Sequence, residues 1–142
     1  MRILIINGPN INMIGIREKS IYGSQTYENL INYIQDICTQ NEIDVEFFQS
    51  NHEGEIIDAI QAAYGVMDGI VINPAGYTHT SIAILDALKA VFLPAVEVHL
   101  SNIYARDEFR HISYVSKICI KSFNGLGFEG YKKAVLLLKA LD

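Results

Sequence analysis

Arg2-Ile3-Leu4-Ile5-Ile6-Asn7-Gly8-Pro9-Asn10 decides how the rest of the chain reads. Ile3 to Ile6 form a continuous apolar run rich in β-branched side chains, the pattern of a strand buried on both faces. Asn7-Gly8-Pro9-Asn10 stops it, because glycine and proline end regular pairing and two amides can face a ligand there. A polar segment follows, Asn12-Met13-Ile14-Gly15-Ile16-Arg17-Glu18-Lys19-Ser20-Ile21-Tyr22-Gly23. It is longer than the usual strand-to-helix link of roughly two to six residues. Long loops at the carboxyl end of a central strand are common places for lids and binding loops. Glycines bracket this one and apolar anchoring is sparse, so mobility without ligand is expected from about Met13 to Ser20.

Downstream, helix and strand patterns alternate. Tyr27, Leu30, Ile31, Ile34, Ile37 and Cys38 recur at helical spacing, with Ser24 or Thr26 as the cap. Ile43 to Phe48 reads as a second strand, and Ser50-Asn51-His52-Glu53 has the form of a capping box before Ile56, Ile57, Ile60 and Tyr64. Ile70-Val71-Ile72 is a third strand ending at Asn73-Pro74-Ala75-Gly76. A helix is expected from about Thr80 to Phe92, a fourth strand at Pro94 to Val98, and a fifth at Val115 to Ile120. Phe128, Tyr131, Val135, Leu138 and Leu141 line a closing helix. This alternation predicts an α/β fold: a flavodoxin-like three-layer sandwich, with a five-stranded parallel sheet in the order 2-1-3-4-5 and helices on both faces. The 142 residues fit one catalytic domain spanning residues 1–142.

Half the residues are hydrophobic and the formal net charge is −5, which fits a compact protein and argues against nucleic acid or an anionic membrane as partner. Cys38 and Cys119 are too few for a disulfide scaffold. The apolar residues before Asn7 are too short a run for a signal peptide, and no run approaches transmembrane length, so a cytoplasmic location is expected.

In the predicted topology the site lies beyond the carboxyl ends of the strands, beside the switch point between strands 1 and 3. Polar residues cluster there: Asn7 to Tyr22, Asn73 to His79, and Glu97 to Arg110. Residues two apart on a strand share a face, so Glu97 and His99 point the same way. A carboxylate beside an imidazole fixes its tautomer and raises its basicity, which suits a general acid; a solvent-bonded histidine at a strand end is the plainer alternative. Asn73 to Thr80 sets amide, hydroxyl and imidazole groups before a helix, whose free N–H groups favour an anion. His79 and Asp86 stand two turns apart on one expected helical face, although an Asp86–Lys89 pair on the surface is the simpler explanation of the spacing. Arg106 and Arg110 sit one turn apart among Asp107 and Glu108, either as a solvated turn or with one arginine gripping a carboxylate or hydroxyls. The four histidines are scattered without a metal-ligand spacing.

Five motifs, in order, resemble the type II 3-dehydroquinate dehydratases (type II dehydroquinases) over essentially the whole chain. They are Asn7-Gly8-Pro9-Asn10-Ile11-Asn12; Gly15-Ile16-Arg17-Glu18 with Tyr22-Gly23; Gln49-Ser50-Asn51-His52-Glu53-Gly54; Asn73-Pro74-Ala75-Gly76-Tyr77-Thr78-His79-Thr80-Ser81; and Glu97-Val98-His99-Leu100-Ser101-Asn102 with Phe109-Arg110-His111. Lys19 stands where proline is common, and Ala75-Gly76 reverses a frequent Gly-Ala order.

The resemblance implies conversion of 3-dehydroquinate to 3-dehydroshikimate in the shikimate pathway, with no metal or organic cofactor. It assigns Tyr22 as the base, His99 as the acid that protonates the departing hydroxyl, and Arg17 as the stabiliser of tyrosinate. Asn10 would hold a water at the enolate oxygen and Glu97 would orient His99. Asn73 and the Leu100-Ser101 backbone would take the substrate carboxylate, with His79, Asp86 and Arg110 recognising ring hydroxyls or supporting the lid. It also implies trimers assembled into a dodecamer. The assignment is physically sound: a free tyrosine titrates near about 10, and a cation about 5 Å away at an effective dielectric near 20 contributes roughly 3 kcal/mol, or about two pKa units. A flavin carrier would show a Ser/Thr/Gly-rich phosphate loop where this chain has Gly8-Pro9-Asn10, and a receiver domain would show acids where it has Asn7.

Overall fold

The computed structural model describes residues 1–16 and 25–142. Its strands are β1 (Arg2–Asn7), β2 (Asp44–Gln49), β3 (Gly69–Asn73), β4 (Ala95–His99) and β5 (Lys121–Asn124). The helices are α1 (Tyr27–Gln40), α2 (Glu53–Ala62), α3 (Ile82–Val91) and α4 (Glu129–Leu141). The strands form one parallel sheet in the order β2-β1-β3-β4-β5, as the alternating pattern predicts.

Because alternate strand residues face opposite sides, the apolar runs supply two cores at once. Ile3, Ile5, Val71, Val96 and Val98 pack under Leu30 and Ile34 of α1 and Tyr131, Val135 and Leu138 of α4. Leu4, Ile6, Ile70 and Ile72 pack under Ile56 and Ile60 of α2 and Ile84, Leu88 and Val91 of α3. Cys38 is buried and Cys119 half-buried, both as free thiols. Burial pushes them up to about 11 and about 12, so both stay protonated at neutral pH.

Three local expectations are corrected. The fifth strand is not Val115 to Ile120: Val115–Lys117 is a 3-10 turn, and pairing begins at Lys121. The apolar run plugs the core instead, with Val115 fully buried and Ile118 and Cys119 packed against the same cluster. The true edge strand, Lys121-Ser122-Phe123-Asn124, is half-exposed and mostly polar, so it carries no apolar signature. Ser50 does not box the start of α2. His52 holds the cap position, while the Ser50 hydroxyl accepts the His52 N–H at 2.9 Å and donates to Glu55 at 2.5 Å. Helix α3 starts after Ser81, whose hydroxyl accepts the Ile84 N–H, rather than at Thr80. Thr26 caps α1 through a reciprocal pair with Asn29. Its alternative Ser24 and the latter half of the expected lid, including Lys19, lie outside the described residues.

One glycine shapes the end of the sheet. A Cβ on Gly8 would come within 2.5 Å of the Pro74 carbonyl oxygen, a separation side chains do not tolerate. Its absence lets the turns after β1 and β3 lie against each other, with the Gly8 N–H donating to Asn73 O at 2.8 Å.

Candidate active site

Asn7 and Asn73 are the last residues of β1 and β3 and stand opposite each other in register. Both side chains face α4, where Tyr131 is fully buried. The Tyr131 hydroxyl donates to Asn7 Oδ1 at 2.6 Å and accepts from Asn73 Nδ2 at 2.9 Å. Asn73 Oδ1 in turn accepts the Ala75 N–H at 3.1 Å. The Asn73 amide is therefore held at both ends, with one N–H of Nδ2 left for a ligand. Burial holds the Tyr131 phenol well above the usual tyrosine range despite the Asn73 bond, so it remains a neutral donor.

One strand over, Glu97 and His99 end β4 on the opposite face of the sheet. His99 Nε2 lies 2.5 Å from Glu97 Oε2, with the two side chains almost wholly buried. The Glu97 carboxylate also accepts from Thr78 Oγ1 at 2.8 Å, Ser113 Oγ at 2.6 Å and Ser122 Oγ at 2.5 Å. Burial alone would raise this carboxyl, but the bond and charge of His99 and the bonds from Ser113 and Ser122 outweigh it and hold it at about 2. Glu97 is thus an anion at neutral pH. With Nε2 given to Glu97, His99 keeps Nδ1 for a proton of its own.

The turn after β1 and the loop after β4 supply the rim. Asn10 adopts a left-handed backbone at φ 68, which asparagine tolerates, and its N–H donates to Asn51 Oδ1 at 3.0 Å. Gln49 Nε2 donates to the Gly8 carbonyl and to Asn12 Oδ1, both at 3.2 Å. His79 lies on a 3-10 turn, its Nδ1 2.7 Å from the Ile112 carbonyl. Burial lowers the His79 pKa, with the positive neighbours His99 and Arg110 adding to that shift, so the ring leans towards the neutral form. Arg110 stacks 5.2 Å from the Phe109 ring, and its buried Nε has no partner among the described residues.

These parts enclose a crevice of about 130 Å³ lined by Pro9, Asn10, Ile11, Asn73, Ala75, Gly76, His79, His99, Leu100, Ser101, Ile103, Arg106 and Arg110. Two guanidiniums, amide donors and an imidazole backed by a carboxylate suit a small anionic ligand and a proton transfer. A larger groove of about 580 Å³ lies between β2 and α2, but its polar groups are the carboxylates Glu46, Glu55 and Asp58 against an apolar wall. That composition gives no acid–base pair, so size alone does not select it.

A family model, dehydroquinase class II, matches residues 1–139. The chain belongs to the class II dehydroquinase family. A 3-dehydroquinate dehydratase of Clostridium acetobutylicum is 55% identical over 139 residues, covering 98% of this chain and 96% of the relative. One of Caldicellulosiruptor bescii is 52% identical over 141 residues, with 99% and 97% covered. The crystal structure of a type II dehydroquinase from Butyrivibrio crossotus superposes with a TM-score of 0.96 at 53% identity, over 98% of this chain and 97% of that one.

Of the residues the dehydroquinase resemblance singles out, Asn10, Asn73, His79, His99, Leu100, Ser101 and Arg110 meet at the crevice, with Glu97 directly behind His99. Asp86 does not line it. His79 belongs to a turn that ends before α3 begins, so the two-turn spacing places the residues on no common face, and Asp86 is exposed. Arg17 and Tyr22 lie outside the described residues. Sequence reasoning missed Ser113, Ser122 and Tyr131, and it put Thr78 and Asn7 in the polar clusters at the strand ends without seeing their roles around Glu97 and beneath Asn73. Only strand alternation gave any signal, since Ser122 pairs in register with Glu97 once β5 is placed correctly.

Proposed function

We infer that the chain catalyses its family's reaction, loss of water from 3-dehydroquinate to give 3-dehydroshikimate, by a stepwise route with separate base and acid. The observation that carries this reading is the buried Glu97–His99 pair opening on a crevice rimmed by Arg106 and Arg110. Asn73 and the Leu100-Ser101 backbone bind the substrate carboxylate. Tyr22, as a tyrosinate stabilised by Arg17, removes a proton next to the ketone, and the electrons pass to the carbonyl oxygen as an enolate. A water held by Asn10 stabilises that oxygen. His99 then delivers its Nδ1 proton to the departing hydroxyl while the enolate collapses, and Glu97 stabilises the imidazolium until transfer. His79 and Arg110 contact ring hydroxyls.

The same reading has trimers assembled into a dodecamer working in the cytoplasm. Light scattering at micromolar concentration is expected to show the dodecamer; a monomer would refute the assembly and leave the chemistry standing. Among the described residues no helix is long and apolar enough to cross a membrane.

Tyr22→Phe tests the chemistry, because it keeps the ring and removes the one group assigned to accept the proton. The variant should fold, bind substrate and lose nearly all turnover. Activity within about tenfold of the parent, a difference of only about 1.4 kcal/mol in the barrier, would end the assignment of Tyr22 as base.

A further inference from the structure

We propose that Thr78, Ser113 and Ser122 are positioning residues for the proton donor: their hydroxyls pin the Glu97 carboxylate and so decide how firmly His99 holds its proton. The proposal rests on His99 being the acid, as read above. Each hydroxyl comes from a different element, the turn after β3, the loop after β4, and β5. The two partners bonded at Oε2, together with His99, saturate that oxygen, and Ser122 takes Oε1 at 2.5 Å. Among the described residues these partners already use nearly the full accepting capacity of the carboxylate.

Proton counting sharpens the arrangement. Thr78 Oγ1 and Ser113 Oγ also lie 2.8 Å apart, so three short contacts share two hydroxyl protons. Ser113, the shorter contact to Glu97 at 2.6 Å, gives its proton to the carboxylate, and Thr78 donates either to Glu97 or to Ser113. Glu97 is held ionised by the donors that converge on its two oxygens, Ser113 and His99 at Oε2 and Ser122 at Oε1. The hydroxyls thereby keep the shared His99 proton on Nε2 and leave Nδ1 as the site of the transferable one.

The same residues join the donor to the substrate-gripping loop. The Tyr114 N–H donates to the Thr78 carbonyl at 2.8 Å, and His79 Nδ1 meets the Ile112 carbonyl at 2.7 Å. Residues 78–79 and 112–114 therefore form a clasp at the root of the loop that carries Arg106 and Arg110. Among the described residues, the titratable and charged groups facing the dyad are His79 from the turn, Arg106 and Arg110 from the loop, and Cys119 from the segment before β5. The thiol stays neutral, so the hydroxyls are the groups that temper Glu97 from behind.

Removing one hydroxyl leaves the carboxylate charge less satisfied, which strengthens its pull on the imidazolium and makes His99 a weaker acid. Ser122 sits half-buried on the edge strand, where a substitution is easiest to absorb. Ser122→Ala should lower kcat roughly tenfold, the loss of about one charge-assisted hydrogen bond. KM should stay within about twofold, and the basic limb of the kcat–pH profile should move up by about half a unit or more. Ser122→Thr keeps the hydroxyl on a strand and should restore both kcat and the limb. Ser113→Ala, if it folds, should shift the limb in the same direction. An unmoved basic limb in Ser122→Ala, or a fall in kcat that threonine does not repair, overturns the proposal. His99→Ala separates the two readings: if the basic limb survives there, His99 is not the acid, whereas its disappearance there beside an unmoved limb in Ser122→Ala refutes only the positioning role.

Discussion

Tyr131→Phe isolates the polar anchor under the crevice. The substitution keeps the ring, so no cavity opens around a side chain that is 0% exposed. It removes a hydroxyl that donates to Asn7 Oδ1 at 2.6 Å and accepts from Asn73 Nδ2 at 2.9 Å. Both amides are buried at the strand ends, so water does not readily replace the lost partner. Each buried group left unsatisfied costs about 1–3 kcal/mol, and small rotations of the amides recover part of that, giving about 3 kcal/mol for the pair. For a chain of this length the unfolding entropy is about 0.3 kcal/mol per degree, so the midpoint should fall by about 10 °C. The assay is thermal unfolding at one fixed protein concentration, because assembly makes the midpoint concentration-dependent. Asn73 also loses the bond that aims its free N–H, so KM should rise several-fold while kcat changes less. A midpoint within about 2 °C of the parent would mean the hydroxyl contributes no net stability, and the account of the strand-end network would be wrong.

Two further perturbations follow from backbone and charge. Ala75 has φ 53, a left-handed conformation that costs an L-residue roughly 1 kcal/mol, while Gly76, beside it, has a negative φ and needs no such freedom. Ala75→Gly should therefore raise stability by about 0.5–1 kcal/mol in urea unfolding, with its loss of one half-buried methyl limiting the gain; a destabilised variant would refute the strain. Folding lowers the Glu97 carboxyl from 4.5 to about 2, so its contribution is complete above pH 4.5 and fades as pH falls towards 2. The parent should lose about 3 kcal/mol across that window through this group, and Glu97→Gln should be less stable at pH 7 and show a shallower decline; equal slopes for the two would exclude Glu97 as the source.

The sheet was legible because its central strands are buried on both faces, and Ile3 to Ile6 and Ile70 to Ile72 have no polar alternation to confuse them. β5 was not. Its neighbours cover one side only, so Lys121 and Asn124 are allowed there, while Val115, Ile118 and Cys119 of the run that resembles a strand are spent on filling the core. The same asymmetry governs the site. Glu97 and His99 were readable because a strand imposes a two-residue period, and the crevice liners because topology fixes where strands end. Ser113 and Tyr131 reach the site across 16 and 58 residues of chain from Glu97 and Asn73, and no local pattern encodes such contacts. The reversed Ala75-Gly76 order was visible as a departure, but its consequence, a non-glycine residue at positive φ, appears only in the backbone.

The site places its two ends of polarity on opposite faces of one sheet, and this follows from a single residue of register. Asn7 and Asn73 terminate strands whose odd positions face α1 and α4, so their amides are anchored by Tyr131 from that side. Glu97 and His99 alternate with Val96 and Val98, which occupy that same face, so the dyad turns the other way, towards Thr78 and Ser113. A ligand at the strand ends is thereby met by amide donors braced through one core and by a proton donor braced through the other. Neither brace borrows a group from its opposite number, so damage to one should leave the other intact. Tyr131→Phe and Ser122→Ala are consequently expected to combine additively in stability, since the residues share no partner. A coupling above about 0.5 kcal/mol in the double-mutant cycle would show that the two faces form one network after all.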